Sequence, residues 1–67
     1  MTKGIEEMIG TRKKLGMTQE QLADALGVIT RSTIASIESG HIRPSVRSAK
    51  IIGGYLKFDW TLFFDEE

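Results

Sequence analysis

Ser32, Ser36 and Ser39 fall along one side of a helical stretch, with Ala35 beside them and Arg31 projecting from its N-terminal end. At about 100° per residue, Ile34, Ile37 and Glu38 fall on the opposite side. Serine hydroxyls both donate and accept, and arginine offers a planar fork of donors that matches paired acceptors. Short side chains between them let a helix backbone come close to a surface. This is chemistry of recognition by hydrogen bonding. Bond-making chemistry has no comparable set of residues. His41 is the only histidine and there is no cysteine, so neither a zinc site nor a thiol nucleophile is expected. No nucleophile is paired with a base, and no two carboxylates suit a cleft. Gly53-Gly54 lacks the lysine and preceding strand of a phosphate loop. The expectation is a protein that is not an enzyme and has neither metal nor cofactor.

These side chains need a scaffold, and the apolar spacing is helical throughout. Ile5, Met8, Ile9 and Leu15 form the stripe of a first helix, with Arg12 on the same stripe and Gly16 ending it. Thr18-Gln19-Glu20-Gln21 has the form of a capping box opening a second helix, whose buried side is Leu22, Ala23 and Leu26. Gly27 stops it. Thr30 caps a third helix that ends before Gly40. Pro44 cannot continue a helix, and Ser45 caps a fourth, which presents Val46, Ala49, Ile52 and Leu56. Gly53, near that apolar side, permits a close helix contact. Asp59 caps a short fifth helix, Trp60 to Phe64. No stretch reads as a strand. The predicted fold is all-α: a compact five-helix bundle in a single domain spanning residues 1–67.

The chain has 67 residues and a formal net charge of zero. Charge is unevenly distributed. Residues 1–50 hold eight Lys/Arg against five Asp/Glu, a balance of +3, and residues 51–67 hold one against four, a balance of −3. The two parts cancel overall yet can occupy different faces. No apolar run approaches a membrane span, and the first residues carry no apolar stretch of signal-peptide type. A cytoplasmic protein without membrane contact is expected.

The second and third predicted helices are the informative pair. Ala23 lies one helical turn before Gly27, and a buried aliphatic, Ile34, follows. A small residue there lets two helices cross closely, and the glycine permits a sharp change of direction. That is the pattern of a helix-turn-helix. The string from Leu15 to Val28, LGMTQEQLADALGV, resembles the opening of the Cro/C1-type (xenobiotic-response-element) helix-turn-helix family. Arg31 to Gly40, RSTIASIESG, resembles that family's recognition helix and terminator. Arg43-Pro44-Ser45 resembles its link to the fourth helix, and Phe58 to Phe64 the close of many short members. The resemblance covers roughly residues 5–64 and implies a lambda-repressor-like domain. One departure stands out: Gly27 and Ile34 are separated by six residues, one more than the family usually has. The start of the third helix, and with it the register of its base-facing side, is the feature this puts at stake.

The resemblance implies a sequence-specific transcription regulator, most often a repressor, that binds double-stranded DNA as a homodimer on a palindromic operator. The exposed side of the third helix would enter the major groove. Arg31, Ser32, Ala35 and Ser36 are then the expected base contacts. Gln19, Ser39, His41, Arg43 and Arg47 are the expected phosphate contacts. Members of the family commonly pair an arginine and a glutamate at the positions of Arg12 and Glu38. Both lie on packed sides, where an unpaired charge is costly, so an ion pair is expected. Tyr55, Trp60, Phe63 and Phe64 form an aromatic group larger than so small a core needs, and they are the expected dimer interface. No room is left for a small-molecule effector domain. The alternative is a protein-binding module, such as an antitoxin or a phage or mobile-element switch protein with a protein partner.

Overall fold

The computed structural model describes residues 2–65. It contains α1 (Lys3–Lys14), α2 (Gln19–Leu26), α3 (Arg31–Glu38), α4 (Val46–Leu56) and a closing 3-10 helix (Trp60–Phe64). Among the described residues there is no strand. The architecture is all-α, with one correction to the expected five-helix bundle: it has four α-helices. The last segment is too short to gain much from α-helical bonding, and it winds more tightly. Leu62 N–H donates to the Asp59 carbonyl (3.1 Å), three residues back, and Asp65 N–H to Leu62 (3.4 Å). Asp59 still caps it, its carboxylate accepting from Thr61 N–H (3.0 Å) and Thr61 Oγ1 (2.7 Å). Those two bonds hold the Asp59 carboxyl below its ordinary pKa. The cap is therefore at full strength above the usual carboxylate range and is lost on acidification.

The other helix starts follow from side-chain chemistry. Thr18 and Gln21 make both bonds of the capping box, at 3.0 and 2.9 Å. Thr30 Oγ1 accepts from Thr33 N–H (3.2 Å), and Ser45 Oγ from Ser48 N–H (3.1 Å). Thr2, which no sequence signal singled out, caps α1 by accepting from Ile5 N–H (3.2 Å). The α4 end is less conventional. Lys57 takes a left-handed conformation (φ 62°) where glycine is usual.

The core draws on every element. Met8, Leu22, Ile34, Ile37, Ala49 and Ile52 are fully enclosed, joined by Ile5, Ala23, Ile29, Leu56 and Phe63. Two residues of the expected apolar stripes are outside it: Leu15 and Val46 are 57% and 52% exposed. Leu15 is the C-cap of α1 and Val46 the first residue of α4. Each sits where its helix runs off the end of the core.

α1 is fastened to the C-terminal segment by a glycine contact. A Cβ added at Gly4 would lie 2.5 Å from the Phe63 amide nitrogen and 2.6 Å from its Cα. Backbone atoms cannot rotate aside, so α1 and the 3-10 helix would have to separate. At Gly10, on the same helix, an added Cβ meets nothing within 4 Å. Gly4→Ala should therefore destabilise by about 1–3 kcal/mol through overpacking. Gly10→Ala should stabilise by about 0.5–1 kcal/mol through helix propensity. Urea denaturation of the two variants checks this, and a shift of the same sign in both contradicts it.

Candidate nucleic-acid interface

The geometry begins at the α2–α3 turn. Gly27 ends α2 with φ 77°, and its N–H donates to the Ala23 carbonyl (3.0 Å). The positive φ turns the chain sharply without the cost a Cβ would bring. Within the lengthened turn the two aliphatics separate: Val28 is 66% exposed and Ile29 is buried. Ile29 and Ile34 hold the positions just before the cap and four residues after it, a hydrophobic staple across Thr30. Thr30 caps α3, as the sequence predicts. Ile29 was missed in the sequence, although an aliphatic directly before a cap threonine is the signal that marks it.

α3 is held from beneath by a buried polar network. Arg12 Nε donates to Glu38 Oε2 (2.8 Å) and Arg12 Nη2 to Oε1 (2.9 Å). The two side chains are only 10% and 6% exposed. The third nitrogen is used too: Arg12 Nη1 donates to the Met17 carbonyl (2.8 Å). Gln19 Nε2 adds a bond to Glu38 Oε1 (3.1 Å). No buried side-chain polar atom among the described residues lacks a partner. Hydrogen bonding to Glu38 raises the Arg12 pKa further, against the opposing effect of burial. The network ties α1, the loop before α2, the start of α2 and the end of α3 into one unit. A bidentate fork also fixes rotation, which a single contact would not.

Above that anchor, α3 turns its small polar side outward. Arg31 and Ser32 are exposed, and Ala35 and Ser36 are half-buried. Ser39, His41, Arg43 and Arg47 are exposed along the segment that leaves α3 and enters α4. That segment is pinned back on the helix: the His41 and Ile42 amides both donate to the Ser36 carbonyl, at 3.0 and 3.3 Å. Ser39 Oγ donates to the same carbonyl (3.1 Å) and is hydrogen-bonded to His41 Nδ1. Gln19 stands apart from the other expected phosphate contacts, since one of its amide hydrogens is committed to Glu38. The Gln19 and Glu20 main-chain amides at the start of α2 remain without an intrahelical acceptor, as helix geometry requires.

The aromatic group divides. Phe63 is 1% exposed and is a core residue packed near Phe58, with ring centroids 5.5 Å apart. It has no surface to give a second subunit, which corrects its place among the expected interface residues. Tyr55 is exposed, and Trp60 and Phe64 are half-buried in an edge-on pair (6.1 Å). Lys50 Nζ lies 5.2 Å from the centre of the Trp60 ring, a cation–π contact. The acidic residues Glu66 and Glu67 lie outside the described residues. Among the described residues no group of acidic, histidine or cysteine side chains could hold a metal ion, and no helix is long and apolar enough to cross a membrane.

Comparison with known proteins points the same way. A helix-turn-helix family model matches residues 11–63. The chain is 46% identical over 55 residues to the Bacillus subtilis protein YqaF, covering 82% of this chain and 71% of that one. It is 44% identical over 59 residues to an Archaeoglobus fulgidus protein, covering 84% and 83% of the two chains. A Methanothermobacter thermautotrophicus protein is 48% identical over 46 residues, covering 63% and 65%. All three bear the name of uncharacterized HTH-type transcriptional regulators. No solved structure matches significantly. With the capping box of α2, the glycine turn and the arginine–glutamate anchor in place, the chain belongs to the Cro/C1-type helix-turn-helix family.

Proposed function

We propose that the protein is a sequence-specific double-stranded DNA-binding regulator of transcription that represses by occupying a palindromic operator as a homodimer. The observation that carries this reading is the outward side of α3. It is small, polar and led by Arg31, on a helix whose orientation is locked by the buried Arg12–Glu38–Gln19 network. A helix so lined can approach a groove floor closely. Arg31 pairs with a guanine, Ser32 and Ser36 bond base edges, and Ala35 touches a thymine methyl. Ser39, His41, Arg43, Arg47 and the Gln19 end of α2 line the sugar–phosphate backbone. The mechanism is occupancy, and it needs no cofactor.

One recognition helix reads only a few base pairs, too few for a genomic address. Two copies about a twofold axis, with α3 centres about 34–36 Å apart, double the site. Their pairing surface must leave α3 free. Tyr55, Trp60 and Phe64 supply apolar surface away from it, and the acidic end of the chain lies on that same side of the sequence. The reading places the protein in the cytoplasm, on the nucleoid.

Arg31 is expected to discriminate bases more than any other side chain, as the only long polar group at the start of α3. Arg31→Ala should weaken binding by about 1–3 kcal/mol and relax the preference at one base pair per half-site. Competition binding with single-base operator variants measures this. Equal weakening on every sequence would place Arg31 on a phosphate and remove its reading role.

A further inference from the structure

Val28, 66% exposed, is the most exposed large apolar side chain among the described residues. It lies two residues before the α3 cap and three before Arg31. Both of its neighbours are fixed: Gly27 holds a positive φ, and Ile29 is buried in the core. Val28 is therefore presented on a short, tethered arc, and its β-branched side chain is stiff at χ1. A contact made through it loses little conformational freedom. The other exposed side chains at this end of α3, Thr30, Arg31 and Ser32, are polar, so Val28 is the only exposed large apolar group there among the described residues. In a helix-turn-helix this end of the recognition helix is the one that enters the groove. The apolar group that a base pair displays on its major-groove edge is the thymine C5 methyl.

We propose that Val28 is a specificity-determining residue that packs against a pyrimidine C5-methyl group at the edge of each half-site, beside the base pair read by Arg31. The inference rests on the DNA-binding reading above and goes beyond it. It assigns a reading role to a residue of the turn, outside the recognition helix itself. It also predicts a preference, thymine over cytosine, at one position separate from the methyl that Ala35 touches.

The test starts from a duplex enriched by the protein out of a random pool. Each thymine is replaced singly by deoxyuridine, which removes only the methyl group. Affinities are then measured for the wild-type chain and for Val28→Ala, a surface change whose fold is checked by its denaturation midpoint. At one position per half-site, deoxyuridine should weaken the wild-type complex about fourfold, the worth of one buried methyl. Val28→Ala should be indifferent to deoxyuridine at that position and unchanged at all others. Persistence of every methyl-sensitive position in Val28→Ala means that the methyls are read by other side chains, Ala35 among them, and overturns the inference. So does a variant whose sedimentation changes while its deoxyuridine profile does not, because Val28 would then be covered by a second copy. Enrichment of a duplex with no Val28-dependent position overturns this inference alone. Failure to enrich any duplex overturns the DNA-binding reading and this inference with it.

Discussion

Glu38→Ala should cost about 3–5 kcal/mol of folding stability, far more than the 1 kcal/mol or so of an exposed ion pair. The carboxylate is 6% exposed and accepts from three donors, two on Arg12 and one on Gln19. Removing it leaves a buried guanidinium with only the Met17 carbonyl to bond. A guanidinium cannot escape by losing its proton, because its pKa lies beyond any working pH. A chain of 67 residues has a total stability of about 3–10 kcal/mol, so the single change removes a large part of it. Replacing both partners by apolar residues of similar volume, Arg12→Met with Glu38→Leu, should cost much less than the sum of the single changes. The unpaired charge, rather than the missing attraction, is the main expense. Urea denaturation of the wild type, Arg12→Met, Glu38→Leu and the double variant closes the cycle. Additive single and double effects would mean that the pair is solvated and adds little.

Affinity for a specific duplex should fall by several orders of magnitude between dilute and moderately salted buffer. On the proposed reading the base-facing side of α3 has one long reader, so phosphate contacts should supply much of the binding. Each phosphate neutralised contributes about −0.9 to the slope of log affinity against log salt. In a homodimer, Arg47→Ala removes one contact from each subunit, so the slope should become shallower by roughly two. Arg43→Ala should act alike. Both should weaken all sequences similarly, in contrast to Arg31→Ala. The chain has no net charge, so the dependence is expected to arise locally, from a row of cations beside α3. Affinity that ignores salt over this range would rule out that row as a backbone contact.

Much of the scaffold was legible because it depends on local chemistry. The capping box at Thr18, the caps at Thr30, Ser45 and Asp59, and the stop at Gly27 each need only a few neighbouring residues. The Arg12–Glu38 pair was legible for another reason: two charges on packed sides of different helices have few ways to be satisfied except by each other. What escaped the sequence depends on distant parts of the chain. Phe63 is closed in the core because the α1 start, through Gly4, comes against it. Trp60 and Phe64, two neighbours of the same type, keep part of their surface. Spacing alone cannot divide such a cluster between core and interface. Gln19 looked like a surface group at a helix start, and the carboxylate that engages it is 19 residues away. The stop at Lys57 carries no glycine to announce it. The turn was the most informative miss. A one-residue lengthening looked like a threat to the register of α3; in the structure Ile29 is buried, Val28 is exposed and Thr30 caps the helix.

Selection of duplexes from a random pool by the purified chain tests the central claim most directly. The account predicts enrichment of a single palindromic motif, two identical half-sites whose centres lie one helical turn, about 10–10.5 base pairs, apart. Each half-site should contain a guanine whose preference is relaxed by Arg31→Ala. Enrichment of no motif, with only salt-sensitive binding common to all sequences, would contradict sequence-specific regulation by this protein. Enrichment of an unpaired half-site would contradict the homodimer.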